Sequence, residues 1–164
     1  HTQATRLDDV ARLLRRIGQA SGHAGKGEAA ARAYSARLAA LQVRATQKPP
    51  ISVFYQVWDH PLMTVGGTHW ISDALALCGA RNVFADLRAA SPVVSREAVL
   101  RRAPELVVSG SDAPDARRQW QRFASLPAVK NNAFVRVDAD LLHRPTPRLL
   151  EGVAELCAAV ARYR

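Results

Sequence analysis

Trp58, Asp59 and His60 follow directly on a run of β-branched and aromatic residues, Ile51 to Val57, and Pro61, Met63, Gly66 and Gly67 come just after. A carboxylate beside an imidazole can move protons, and a histidine can hold a metal. Glycines ahead of a helix can cradle an anion on backbone amides, and a large ring can stack on a flat ligand. Asp140, His143 and Arg144 form a second such group near the end of the chain.

Spacing narrows these options. Asp59 and Asp140 could act as an acid and base, and His60, His69 and His143 could share a metal, yet no HxxxH or HExxH pattern joins the histidines. The sequence also lacks GxSxG, GxxxxGKS/T and, after the first strand, GxGxxG. Neither catalysis nor a metal or cofactor is therefore expected. Gly66 and Gly67 read first as residues that let a loop turn. Trp58 carries more information, because an indole in a strand-end loop either packs into the core or stacks on a ligand. Arg144, four residues after Asp140, either closes an ion pair or grips a polar ligand.

The elements that must position these residues alternate between strand and helix. The spacing of Leu7, Val10, Leu13, Leu14 and Ile17 predicts an amphipathic helix over 6–19, and Gly18, Ser21, Gly22, Gly25 and Gly27 predict a break after it. An alanine-rich run predicts a long helix over 28–47, with a stripe through Ala30, Tyr34, Leu38, Leu41 and Val43 and a stop at Lys48, Pro49 and Pro50. Strands are expected at 51–57, 82–84, 106–109 and 133–137. Helices are expected from Thr68 as cap to Cys78 with Gly79 as the stop, from Ser95 as cap to Ala103, over 114–124, and from Thr146 and Pro147 to about Tyr163. Residues 85–94 and 138–144 read as loops. Such alternation implies right-handed crossovers and a parallel sheet, whose ligands collect at the carboxyl ends of the strands.

The 164 residues, 48% of them hydrophobic, suit one domain with a real core, and no apolar run reaches the roughly 18 residues a membrane span needs. No segment at the start reads as a signal peptide, so the sequence is expected to be cytoplasmic, or else a mature, processed or truncated form. The net charge of +9 is concentrated in residues 1–50, which hold nine Lys and Arg against three Asp and Glu. That pattern reads as a solvated basic helical face; without interleaved aromatics no nucleic-acid partner is expected. Cys78 and Cys157 have no zinc-type spacing, and composition leaves two buried thiols and one disulfide equally open.

Particular runs resemble a known family. Val53 to Cys78 followed by Gly79, Ala80, Arg81, Asn82, Val83 and Phe84, then Pro92 to Glu97, then Ala103, Pro104 and Glu105, and finally Arg144 to Arg148, are similar to the C-terminal lobe of cobalamin-binding proteins of ABC importers. These belong to the helical-backbone class of periplasmic binding proteins, which also carries haem and siderophores. The resemblance covers about residues 25–164. It implies a three-layer α/β lobe with a central, mainly parallel sheet flanked by helices and preceded by a long connecting helix. Residues 1–24 would be a remnant of an N-terminal lobe, 25–50 the connecting helix and 51–164 the ligand-binding lobe.

By the same resemblance the ligand is cobalamin, or a related tetrapyrrole or siderophore, and the partner is an ABC importer permease in the inner membrane. The location implied is periplasmic. Val57, Trp58, Asp59, His60, Pro61, Met63, Ser91, Pro92, Asp140 and Arg144 would face the ligand. Glu97 would dock to an arginine of the permease, and Cys78 and Cys157 would be disulfide-bonded. Ser91 stands where some members have an aromatic, and Trp58 supplies an aromatic that others lack.

Overall fold

In the computed structural model, residues 4–42 and 49–164 are described. Four strands, β1 (Ile51–Gln56), β4 (Ala80–Asn82), β5 (Leu106–Gly110) and β6 (Phe134–Val137), form one parallel sheet in the order β4-β1-β5-β6. All six residues of β1 and all five of β5 are buried, as continuous apolar runs in a parallel sheet must be when helices cover both faces. The helices are α1 (Asp9–Ala20), α2 (Ala24–Gln42), α3 (Trp70–Leu77), α4 (Arg96–Arg102), α5 (Ala116–Trp120), α6 (Pro127–Lys130), α7 (Ala139–Leu142) and α8 (Leu149–Ala161). This is the three-layer α/β arrangement expected.

Side chains alternate cleanly along the strands. Val53, Tyr55, Leu106, Val108, Val135 and Val137 point into one cluster with α1, α2, α3 and α8, whereas Phe54, Val107 and Phe134 point into another with Val99, Trp120 and Leu126. The first cluster is closed by a disulfide between Cys78 and Cys157, 79 residues apart in sequence. Cys78 ends α3, and Gly79, at φ 73°, supplies the left-handed turn into β4. At the amino end of the sheet, Ser52 donates to the Glu105 carboxylate from its amide (2.8 Å) and its hydroxyl (2.7 Å), tying β1 to β5. Those two bonds hold the carboxyl of Glu105 below its usual range.

The structure departs from the sequence reading at several points. α2 begins at Ala24, so Gly25 and Gly27 lie inside a helix. A Cβ on Gly18 would collide with the Cα of Gly27, so this pair lets α1 and α2 touch backbone to backbone. The inward face of α2 runs through Ala31, Tyr34 and Leu38, with Ala30 exposed. Val43 and the expected end of that helix, 43–47, lie outside the described residues. α3 is capped by His69 and not Thr68, and α8 starts after Thr146 and Pro147 with no side-chain cap. α6 and α7 fill stretches whose four-residue length leaves no readable period.

Candidate functional site

Reversal of strand order on either side of β1 places a crevice at the carboxyl ends of β1 and β5, where two crossovers leave in opposite directions. The chain leaving β1 forms a tight ribbon there. β2 (Trp58–Asp59) pairs antiparallel with β3 (Leu62–Met63), and a cis His60–Pro61 bond makes the turn. Val57 N donates to Met63 O at 2.9 Å. The segment after β4 then joins it: Met63 bridges Val93, Thr64 N donates to Pro92 O (3.0 Å), and Val94 N donates to Leu62 O (2.9 Å). The expected loop is thus a ribbon, and it unites Val57, Trp58, Asp59, His60, Pro61 and Met63 with Ser91 and Pro92.

Trp58 stays 41% exposed on this ribbon, one of the few large hydrophobic side chains outside the core. Asp59 is committed to His60, at 3.0 Å. Below them Thr64, fully buried, donates its hydroxyl to Tyr55 O at 2.7 Å. Gly66 and Gly67 do not cradle an anion. Their amides donate to Ala90 O (2.9 Å) and Leu87 O (3.0 Å), and a Cβ on either would strike the carbonyl of Ala89 or Ala85. The glycines let the 85–90 backbone lie directly on the start of α3.

The other end of the crevice is built differently. Tyr55 O–H lies 3.0 Å from His143 Nε2, and His143 Nδ1 lies 3.4 Å from an Asp112 carboxylate oxygen. Burial, with the Asp112 charge beside it, pushes the Tyr55 phenol far up, so it stays protonated. His69 is neutral: burial, with a smaller contribution from His143, pushes its pKa down to about 4, and its Nδ1 accepts from Ile71 N at 3.1 Å to cap α3. The three histidines therefore do separate jobs, and among the described residues no group of His, Cys, Asp or Glu is arranged to hold a metal.

Asp140 and Arg144 pair with each other at 3.1 Å across one turn, both well exposed. Among the described residues no hydrogen bond or ion pair ties them to the ribbon. Ser91 and Pro145 line a shared recess of about 370 Å³ with Thr68, His69 and Trp70. Glu97 is exposed in the first turn of α4, behind the cap that Ser95 Oγ makes to Ala98 N (3.1 Å), and hydrogen bonds to its own amide and to Ser95 keep its carboxyl low.

Sequence reasoning passed over Tyr55, Asp112, Gln56, Gln119 and the arginines of α5. A signal for one of them was present, since Trp120 lies in the helix expected over 114–124, and once packed inward it needs an acceptor for its indole N–H. That acceptor is Gln56 Oε1, at 2.7 Å.

A parallel sheet with a crevice at its switch point is a frame on which ligands are bound. The family model described as periplasmic binding protein matches residues 1–141, and the chain belongs to that family. Among its relatives, the vitamin B12-binding protein of Vibrio parahaemolyticus is 35% identical over 152 residues, 92% of this chain and 55% of that protein. One from Vibrio cholerae is 34% identical over 157 residues, 95% of this chain and 57% of that protein. The crystal structure of the periplasmic vitamin B12-binding protein of Vibrio cholerae superposes with a TM-score of 0.85 at 32% identity, over 99% of this chain and 64% of that one. A haem-binding protein from Roseiflexus shares the fold alone, with a TM-score of 0.82 at 21% identity over 97% of this chain and 64% of that one. The chain spans little more than half the length of the vitamin B12-binding relatives it matches.

Proposed function

We propose that this chain is the C-terminal lobe and connecting helix of a periplasmic substrate-binding protein that captures cobalamin and delivers it to an ABC importer, without chemistry of its own. The observation that carries the reading is Trp58: a ring 41% exposed, mounted on a hydrogen-bonded ribbon at the sheet's switch point. Leaving such a ring open to water is costly unless a flat or apolar surface covers it. Similarity to vitamin B12-binding proteins supports cobalamin as that surface. The disulfide supports an oxidising compartment.

On this reading Val57 to Met63, Ser91 and Pro92 form one wall of the cleft. Asp140 and Arg144 hold each other until a polar arm of the ligand competes, and Glu97 faces the permease. A second lobe carries the opposing wall; residues 25–50 are the link to it and residues 1–24 its remnant, α1 packing here into the core cluster with α2 and α3.

Calorimetric titration with cyanocobalamin tests this. A chain extended to the length of its relatives should bind tightly, and the present chain at least 100-fold more weakly; equal tight affinity would sink the two-walled cleft. Trp58→Ala in the extended chain should weaken binding about tenfold, in line with the 0.5–1.5 kcal/mol of a stacked ring pair plus its buried area. Haemin that competed as an equal would move the ligand assignment to haem.

A further inference from the structure

A recess of about 570 Å³ lies beside the ribbon, and its lining includes Asp59, His60, Arg96, Asp115, Arg118, Gln119 and Arg122. Its lining includes residues of the segments that leave β1 and β5, so it sits at the switch point itself.

The chemistry of its wall is fixed from the core outward. The Trp120 indole can only donate, and it donates to Gln56 Oε1 at 2.7 Å. The Gln56 amide, wholly buried, therefore turns its NH2 the other way and donates to Gln119 Oε1, also at 2.7 Å. Gln119 is left presenting its own NH2. That nitrogen is shielded from solvent and has no hydrogen-bond partner among the described residues. A buried donor without an acceptor is a standing cost, which a bound oxygen atom would remove.

The charges around it are net positive, three arginines against the carboxylates of Asp59 and Asp115. Among the described residues neither Arg96 nor Arg122 has a carboxylate within ion-pair distance, and Arg118 reaches only Asp115, at 3.9 Å. Asp115 itself is occupied in capping α5 through Arg117 N (3.0 Å), and Asp59 is held by His60 at 3.0 Å. The Arg122 guanidinium is steadied over the Phe123 ring, 5.0 Å from its centre.

We infer that this recess is an oxyanion subsite, taking a phosphate or carboxylate with Gln119 Nε2 as the directional donor and Arg118, Arg122 and Arg96 as the balancing charge. Only the source of the anion, free in solution or carried on the ligand of the main cleft, rests on the function proposed above.

The test is a titration of the intact chain with inorganic phosphate at low ionic strength, read by NMR at the Gln119 side-chain amide and the arginine Nε–H signals. Saturable shifts at Gln119, Arg118 and Arg122 are expected. Affinity should drop at least tenfold in the double variant R118Q/R122Q, and equally in Gln119→Glu, whose carboxylate still accepts from Gln56 but supplies its own negative charge. Arg16→Gln on α1 should bind as the parent does. Thermal melts of each variant check that folding is retained. Absence of a saturable shift at Gln119, or unchanged affinity in R118Q/R122Q, overturns the subsite.

In the chain extended to the relatives' length, displacement of phosphate by saturating cyanocobalamin assigns the site to the ligand's phosphodiester. Simultaneous binding assigns it to a free oxyanion. Phosphate binding with no cobalamin binding keeps the subsite and overturns the proposed ligand.

Discussion

The two faces of the sheet bury the same four strands by different means. One face is packed mainly with aliphatic side chains from α1, α2, α3 and α8, with Tyr34 and Tyr55 among them, and is closed covalently by Cys78–Cys157. The other is aromatic, with Phe54 edge-on to both Phe84 (5.9 Å) and Trp120 (5.6 Å), and a polar relay runs through it from Trp120 to Gln119. The aliphatic face therefore depends on chain connectivity and the aromatic face on hydrogen-bond satisfaction. Both faces reach the crevice, the first through Tyr55 and His143 and the second through Gln56 and Gln119.

Breaking the bond that closes the aliphatic face should have the largest effect. By the chain-entropy argument a loop of this length is worth about 4 kcal/mol, so C78S/C157S should lower the urea midpoint accordingly; a loss under about 1 kcal/mol would remove the covalent half of the contrast. On the aromatic face, Trp120→Phe deletes the donor but keeps a ring, leaving Gln56 Oε1 buried and unpaired. About 2–3 kcal/mol should be lost, and an unchanged midpoint would show that the relay is incidental.

The helix caps sharpen the comparison further. α3, on the aliphatic face, is capped by neutral His69, whose folded pKa of about 4 lies below its unfolded value near 6.5. Stability from this group is full above the unfolded value and falls as pH drops from about 6.5 to 4, by of order 2 kcal/mol, because only the unfolded chain takes up the proton there. Urea titrations across that range should lose this slope in His69→Asn, which keeps a cap and cannot titrate. α4, on the aromatic face, is capped by Ser95, and Ser95→Ala should cost about 1 kcal/mol at neutral pH.

Elements whose signal repeats over several residues were readable beforehand. The strands expected at 51–57 and 106–109 are found at 51–56 and 106–110, and the Ser95 cap and the Gly79 stop stand where the sequence placed them. Misreadings arose where one residue type serves two ends. Gly25 and Gly27 count against a helix by propensity, yet in α2 the close approach of Gly27 to Gly18 outweighs that cost. Thr68 is a better cap than histidine by type, yet it donates its hydroxyl to Arg88 O at 2.9 Å. Of the candidate site, the segments 57–63 and 91–92 could be named from sequence, but their pairing through Met63 and Val93 could not, because it joins residues thirty apart with no shared period. The recess was illegible because its specificity lies in which way two amides are turned.

The Met63–Val93 bridge has a kinetic consequence. It makes Trp58, Met63 and Pro92 parts of one small sheet, and the 85–90 backbone pinned against Gly66 and Gly67 continues that sheet into α3. A surface ordered before its ligand arrives gives up little freedom on encounter, so few arrivals are wasted on rearrangement. Substitutions on this wall should then leave the rate of capture nearly constant and change how long a captured molecule stays. On the proposed function, how long the ligand stays is the quantity this ribbon sets.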